Sequence, residues 1–304
     1  LMTRTRNRVR FGVNIGARSF AESLKICLAA ERYGFDVVAF SDRPPESAPE
    51  AWTAITAVGV QTSKVVVTHS SLNVPFRNPA LMAKMAATLD VILGPGRLEL
   101  TLGAGAQRQH FESYGIPFGD APWSFAGLRD AVHIMRGMWA NDSFTYEGQV
   151  HSVSDASIGI HPADGHIPIG IAAMGPQMMR FTGRNADAWM KNQGWPESLE
   201  QLRGLVLQLE QGAEEAGRDP LVIRRALNGG AALGDEAVEQ ARAHVARGPS
   251  YLTCPHVYGS AEQVIETIET YREAGIDDFR FRFPDSLLFE QIQQFGEEVI
   301  PKVV

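Results

Sequence analysis

A chain of 304 residues with 44% apolar side chains can bury a large core, as one α/β barrel of roughly 250 residues plus insertions or as two smaller domains. Its formal net charge of −7 sets up no long-range field that would gather nucleic acid or anionic lipid. Two cysteines, Cys27 and Cys254, without a Cys-x-x-Cys or a His/Cys cluster at ligand spacing, argue against a disulfide framework and against a metal site. No run approaches the ~20 apolar residues of a membrane span, and the arginine-rich stretch Thr3 to Arg10 leads into no signal-peptide core. A cytoplasmic setting is expected, with no nucleic-acid or membrane partner.

In chain order, Arg10 to Ile15 alternates apolar with small or polar residues and predicts a strand. Ser19-Phe20-Ala21-Glu22 is a capping box that opens a helix ending at Gly34, and Asp36 to Phe40 is the near-continuous apolar run of a parallel strand covered on both faces. Further elements follow in the same rhythm: a helix from about Pro49 to Thr62, a strand at Lys64 to His69, a helix at Pro79 to Ile92, a strand at Arg97 to Leu102, and a helix from about Phe125 to Trp139. Residues 141–166 break the rhythm and predict a hairpin of Phe144 to Tyr146 with Val150 to Val153. Strands at Ile167 to Ala173, Ala186 to Met190, Leu221 to Leu227 and Asp278 to Pro284 come next, separated by helices at Leu199 to Ala216, Glu236 to Val245 and from the capping box Ser260 to Gln263 up to Gly275.

Eight strands alternating with helices imply parallel pairing, and eight is the number that closes a (β/α)8 TIM barrel, here a single domain over 1–304 with insertions after strand four and before strand five. An open doubly wound sheet is the structural alternative. In Phe279-Arg280-Phe281-Arg282-Phe283 aromatics and arginines face opposite ways, and the outer face of a barrel strand must be apolar, which sends Arg280 and Arg282 inward toward a barrel carboxylate or a bound phosphate.

In a parallel barrel the reacting groups follow the strands. That rule selects Asn14 and Gly16; Ser41, Asp42 and Arg43; His69 to Asn73; Gly103 to His110; and Met174 to Gln177. No Gly-x-Gly-x-x-Gly opens the first crossover, and no Walker loop, His-Glu-x-x-His or Gly-x-Ser-x-Gly elbow occurs. Leu102-Gly103-Ala104-Gly105-Ala106 ends a strand in small residues that let a flat ring or phosphate approach the backbone. Ile171 to Arg180 ends a strand in Ala172 and Ala173, turns at Gly175-Pro176, and starts a helix whose exposed N–H groups suit a phosphate or simply make a plain strand-to-helix turn.

Taken together, Ala30 to Asp36, Ser41-Asp42, Arg77-Asn78-Pro79-Ala80, Leu93 to Leu100, Gly103-Ala104-Gly105, Tyr114 to Pro117, Ala186 to Trp189 and Glu298 to Pro301 resemble the bacterial-luciferase-like oxidoreductases over nearly the whole chain. Ile171 to Pro176 is similar to the branch that uses the deazaflavin coenzyme F420, as in methylenetetrahydromethanopterin reductase. The resemblance implies hydride transfer between coenzyme F420 and a small-molecule substrate in a homodimer. The alternatives are a flavin mononucleotide (FMN) monooxygenase and a non-catalytic cofactor-binding relative. It implies that Ala172, Ala173, Met174, Gly175, Pro176, Gln177 and Met178 wrap the coenzyme's phosphate and side chain. It implies a cis peptide at Ser70-Ser71 under the central ring, with Asn73 shortly after, and Gly103, Gly105, Ala106 and Arg282 also at the coenzyme. Asp42 and His69 are the acid/base candidates. Two departures, Asp42-Arg43 where relatives often have Asp-His and Ala106 where sugar-phosphate dehydrogenases of the group have glutamate, leave a sugar-phosphate substrate unassigned. The pocket roof is expected from the insertions near 106–125 and 141–166.

Overall fold

The computed structural model describes residues 8–43, 48–191, 198–247 and 257–303. β1 (Arg10–Ile15) is followed by α1 (Phe20–Arg32), β2 (Val37–Phe40), α2 (Ala51–Gly59), β3 (Val66–His69), β4 (Leu72–Asn73), α3 (Pro79–Leu93), β5 (Leu100–Gly103), α4 (Arg108–Glu112) and α5 (Ala121–Ala140). The hairpin strands β6 (Phe144–Tyr146) and β7 (Val153–Ala156) precede β8 (Ile169–Ala172), α6 (Pro176–Asn185), β9 (Ala188–Lys191), α7 (Leu199–Glu215), β10 (Arg224–Leu233) and α8 (Asp235–Arg247). The chain continues through β11 (Val257–Gly259), α9 (Ala261–Glu273), β12 (Asp278–Arg282), α10 (Leu288–Glu298) and α11 (Ile300–Val303).

Parallel pairing runs β3-β2-β1-β12-β10-β9-β8-β5. Val67 of β3 pairs with Leu98 just ahead of β5, its N–H donating to Arg97 O at 2.9 Å and its carbonyl accepting from Glu99 N–H at 3.2 Å. That bridge joins the two ends of the sheet into a ring of the eight expected strands, so the open sheet is excluded. β4 is the continuation of the third strand beyond Ser70-Ser71 and pairs with β5, Asn73 opposite Gly103. No described helix is long and apolar enough to cross a membrane.

Local signals explain most boundaries. Both capping boxes form, at Ser19/Glu22 and Ser260/Gln263. α5 begins at Ala121, not near Phe125, because the Asp120 carboxylate accepts from Trp123 N–H and Pro122 suits a first helical turn. β10 runs on to Leu233 because, past its pairing with β12 through Gly230, it gains β11 as a new partner at Ala231. The second hairpin strand is Val153–Ala156 rather than Val150 to Val153, with Tyr146 opposite Val153 and Phe144 opposite Ala156.

The hairpin does not roof the barrel as expected but lies along α5. Asp130 of α5, buried, accepts from Tyr146 Oη at 3.1 Å, Val150 N–H at 2.8 Å and His151 N–H at 3.2 Å, and a Cβ on Gly137 would strike the Phe144 ring.

Outside the ring, Phe279, Phe281 and Phe283 pack with Phe11 and Phe35 around Phe295 of α10, with centroid separations of 5.3 Å for Phe281–Phe295 and 5.6 Å for Phe283–Phe295. Inside, Arg280 lies in a buried ion cluster near the N-terminal ends of the strands. Its guanidinium donates to Glu99 at 2.7 Å, to both oxygens of Asp278 at 3.0 and 3.2 Å, and to Thr101 Oγ1 at 3.3 Å, while Arg10 reaches the same two carboxylates. Burial opposes ionisation of Asp278 and Glu99, yet the two guanidinium groups hold both carboxyls below their ordinary range. Arg282, expected inside, is instead exposed at the mouth because it is the last residue of β12, level with Gly230 of β10; its Nη2 is 3.5 Å from Ser41 Oγ.

Candidate functional site

Above the ion cluster the inward positions become small and polar, so the C-terminal mouth of the barrel is lined by Asn14, Ser70, Gly103, Ala172, Met190 and Asn228. Asn228 Nδ2 donates to Ser70 Oγ at 2.9 Å and to Met190 Sδ at 3.2 Å; Asn14 Nδ2 donates to Asn228 Oδ1 at 3.3 Å and to the Arg280 carbonyl at 3.1 Å. That carbonyl can only accept, which fixes the direction of the whole amide chain. It leaves Asn14 Oδ1 buried with no hydrogen-bond partner, an acceptor whose desolvation costs about 1–3 kcal/mol until an N–H or O–H reaches it.

The Ser70–Ser71 peptide is cis, and Ser70 N–H donates to Phe40 O at 2.8 Å. Ser71 sits over Gly103, where a Cβ would collide with its hydroxyl, so the bulge and β5 meet through bare backbone. Gly105 has φ +89° and would clash with Phe111 and Phe118 if it carried a side chain. Those rings belong to a ladder over 76–123 in which Phe76 and Phe111 stack at 4.4 Å and Phe111 and Phe118 at 4.5 Å. Arg108 clips the same loop by donating to Phe118 O at 2.6 Å and Gly119 O at 2.9 Å. Ala106 is exposed beside it.

Asp42, at the end of β2, is buried and occupied. Its carboxylate accepts from both Nη atoms of Arg77 at 2.8 and 3.0 Å and from Asn73 N–H at 2.9 Å, and its carbonyl accepts from Asn73 Nδ2 at 2.6 Å. The structure therefore ties Asp42 to Asn73 and the bulge.

His69 is not brought to the mouth, which corrects the expectation that it handles protons there. Thr68 points inward to Thr101 at 3.2 Å, so its neighbour points outward, where the imidazole stacks on Trp52 of α2 at 5.5 Å. Burial, reinforced by the nearby Arg77 charge and only partly offset by Glu50, pushes its pKa down to about 3 from 6.5. The unfolded chain thus binds a proton that the folded chain refuses. Stability is greatest above pH 6.5 and falls as pH drops from 6.5 toward 3, by up to about 1.4 kcal/mol per pH unit. The variant His69→Phe, which can keep the stack on Trp52, is expected to flatten that slope, read from urea midpoints at pH 7 and 5. An unchanged slope would refute the assignment.

Across β5 from the Ser70–Ser71 bulge, Ala172 ends β8 and Ala173 follows it, Met174 and Gln177 are exposed, and Met178 is half-buried. Gly175 is the N-cap of α6 with no side-chain cap, and no atom lies within 4 Å of where its Cβ would be. Open backbone N–H groups at a helix start fit a phosphate. The small residues Ala172 and Gly175, the open start of α6 and the orphaned Asn14 Oδ1 together fit a planar, phosphate-bearing ligand.

Sequence reasoning missed Arg77 as a site residue, because its partner is 35 positions away. It also missed Met190 and Asn228, which the rule of reading past each strand end finds once it is carried to the sixth and seventh strands. Among the described residues no group of three or more His, Cys, Asp or Glu is arranged to hold a metal ion.

Residues 2–258 match the model of the luciferase-like monooxygenase family. The chain is 34% identical over 219 residues to an F420-dependent glucose-6-phosphate dehydrogenase of Microbacterium testaceum, covering 69% of this chain and 64% of that protein. It is 33% identical to the enzyme of the same name from Mycolicibacterium gilvum, covering 70% and 65%. The match thus spans less than two thirds of these relatives' length. Among solved structures, an F420-dependent secondary alcohol dehydrogenase in complex with an F420-acetone adduct superposes with a TM-score of 0.84 at 25% identity, over 98% of this chain and 100% of that one. The coenzyme F420 dependent tetrahydromethanopterin reductase of Methanopyrus kandleri, at 21% identity with a TM-score of 0.81 over 98% and 100%, shares the fold.

Proposed function

Since the chain belongs to the luciferase-like monooxygenase family, we propose that it is an oxidoreductase transferring a hydride between coenzyme F420, held at the barrel mouth, and a small organic substrate. The observation that carries this reading is the 34% identity to an F420-dependent dehydrogenase over 69% of the chain. Bound deazaflavin supplies a ring carbon that carries hydride and reacts poorly with oxygen. The protein's part is to bind, orient and keep water out. Ser70, Ser71, Asn73, Gly103, Gly105 and Ala106 would seat the ring, and Ala172 through Met178 would hold the phosphate and side chain at the start of α6. Arg282 and Ser41 border the same mouth. Asn14 Oδ1 would accept an N–H or O–H of coenzyme or substrate, and the Phe76–Phe111–Phe118 ladder would shield one side. Asp42 serves this reading as the anchor of the bulge.

The test is anaerobic. Reduced F420 is mixed with carbonyl, imine and conjugated-alkene acceptors, and oxidised F420 with alcohols and glucose 6-phosphate, and the ring absorbance is followed. Turnover with one of these classes is expected. In a parallel assay in air, oxygen uptake with reduced FMN and an oxygenated product would replace the reading with the monooxygenase, and coenzyme binding without turnover in either assay would make the chain a non-catalytic relative.

A cytoplasmic, single-domain homodimer belongs to the same proposal. The exposed Leu28 of α1 and Phe289 of α10, which flank a shallow depression on the outer wall, support pairing; sedimentation as a monomer at assay concentration would remove it.

A further inference from the structure

We propose that Arg77 is a positioning residue of the mouth, acting through Asp42 and Asn73 to hold the Ser70–Ser71 bulge in register against Gly103. Arg77 joins three separate elements. Through Nη1 and Nη2 it grips the Asp42 carboxylate at the end of β2 at 2.8 and 3.0 Å, and through Nη2 it also bonds Glu50. Glu50 in turn caps α2, accepting from Trp52 N–H at 3.1 Å and Thr53 N–H at 2.8 Å. Asp42 passes the constraint on: its side chain accepts Asn73 N–H and its carbonyl accepts Asn73 Nδ2, so residue 73 is fixed at two points. Asn73 pairs with Gly103 in the sheet, and Ser71, two residues earlier, lies on Gly103. The bulge is therefore clamped between β5 and a carboxylate whose own two oxygens are set by one planar guanidinium. A lysine, a point charge on a flexible stem, cannot grip both oxygens and Glu50 in this way.

The alternative is that Arg77 merely balances the buried charge of Asp42. The two roles separate in a variant series of the full chain: Arg77→Lys, Arg77→Met, and the double variant Asp42→Asn with Arg77→Met, which removes both charges together. Only what the clamp holds depends on the reading of the mouth as a coenzyme site. One readout therefore needs no coenzyme: hydrogen exchange of the Asn73 amide. The second is the dissociation constant for F420.

If Arg77 positions the bulge, the Asn73 amide exchanges about tenfold faster in Arg77→Lys and in the double variant, and the F420 dissociation constant rises about tenfold in both. The double variant meanwhile regains most of the melting temperature that Arg77→Met loses, because no unpaired charge remains buried. Wild-type exchange at Asn73 in either Arg77→Lys or the double variant overturns the proposal. So does an unchanged F420 constant alongside faster exchange. Should the wild-type protein bind no F420, the functional reading falls while the Asn73 measurement still decides the role of Arg77.

Discussion

Replacing Arg280 by Met is expected to cost the fold about 3–5 kcal/mol, the largest loss of any single substitution argued from this structure. The side chain is 1% exposed and donates to two carboxylates, Glu99 and Asp278, that are themselves buried. Without it Arg10 is the one guanidinium left in direct contact with two negative charges in the barrel interior, with Arg224 acting on them only at longer range. The acid limb should change as well. Both carboxyls are held below their ordinary range in the folded chain. They therefore contribute stability above the carboxylate pKa of the unfolded chain, and that stability is lost as pH falls below about 4. Arg280→Met weakens the stabilisation that keeps them ionised, so its loss of stability relative to wild type should shrink under acid. Urea unfolding at pH 7 and pH 4 measures both effects; a wild-type midpoint at pH 7 would show that the cluster carries no net stability. Adding Glu99→Gln to Arg280→Met should restore part of the loss, since it leaves Arg10 facing a single carboxylate.

The variant Gly103→Val is expected to weaken F420 binding by about 1–3 kcal/mol, roughly fivefold to 150-fold, through overpacking at the proposed seat of the ring. A Cβ there already collides with the Ser71 hydroxyl and lies 3.3 Å from Ser71 Cβ, so a branched side chain has to displace the bulge itself. The position is in β5, where valine suits the backbone, so secondary structure should survive. Far-ultraviolet circular dichroism unchanged alongside a raised dissociation constant is the predicted pair of results. Wild-type affinity in Gly103→Val would place the ring elsewhere.

The barrel was legible because its signals are local and repeated. Capping boxes at Ser19 and Ser260, glycine stops and the apolar runs of eight strands each need only a few neighbouring residues. The alternation in Phe279 to Phe283 even told inside from outside for Arg280. It failed for Arg282 because alternation says which way a side chain points but not where the ring ends. The hairpin was recognised and misplaced for a similar reason: its strands are local, whereas its docking on α5 depends on Asp130, whose partners lie 16 to 21 positions away.

The site was less legible. Small residues marked the ends of strands four and five directly, although only Gly175 is open and Gly103 is covered by Ser71. His69 carried the right side chain at the right strand end but on the wrong face, a distinction of one residue in a period-two pattern, and only the stack on Trp52 decides it. Arg77 and Asn228 exert their roles across 35 and 158 positions, through Asp42 and Ser70, and nothing near them in the chain announces it.

What the barrel mouth holds is tested most directly by titration of the purified full chain with coenzyme F420 and, separately, with FMN, each followed by ligand fluorescence. Saturation by F420 at one site per chain in the micromolar range, about −8 kcal/mol, with no saturable FMN binding, is the predicted result. Saturable FMN binding with none for F420, or no binding of either, would contradict it.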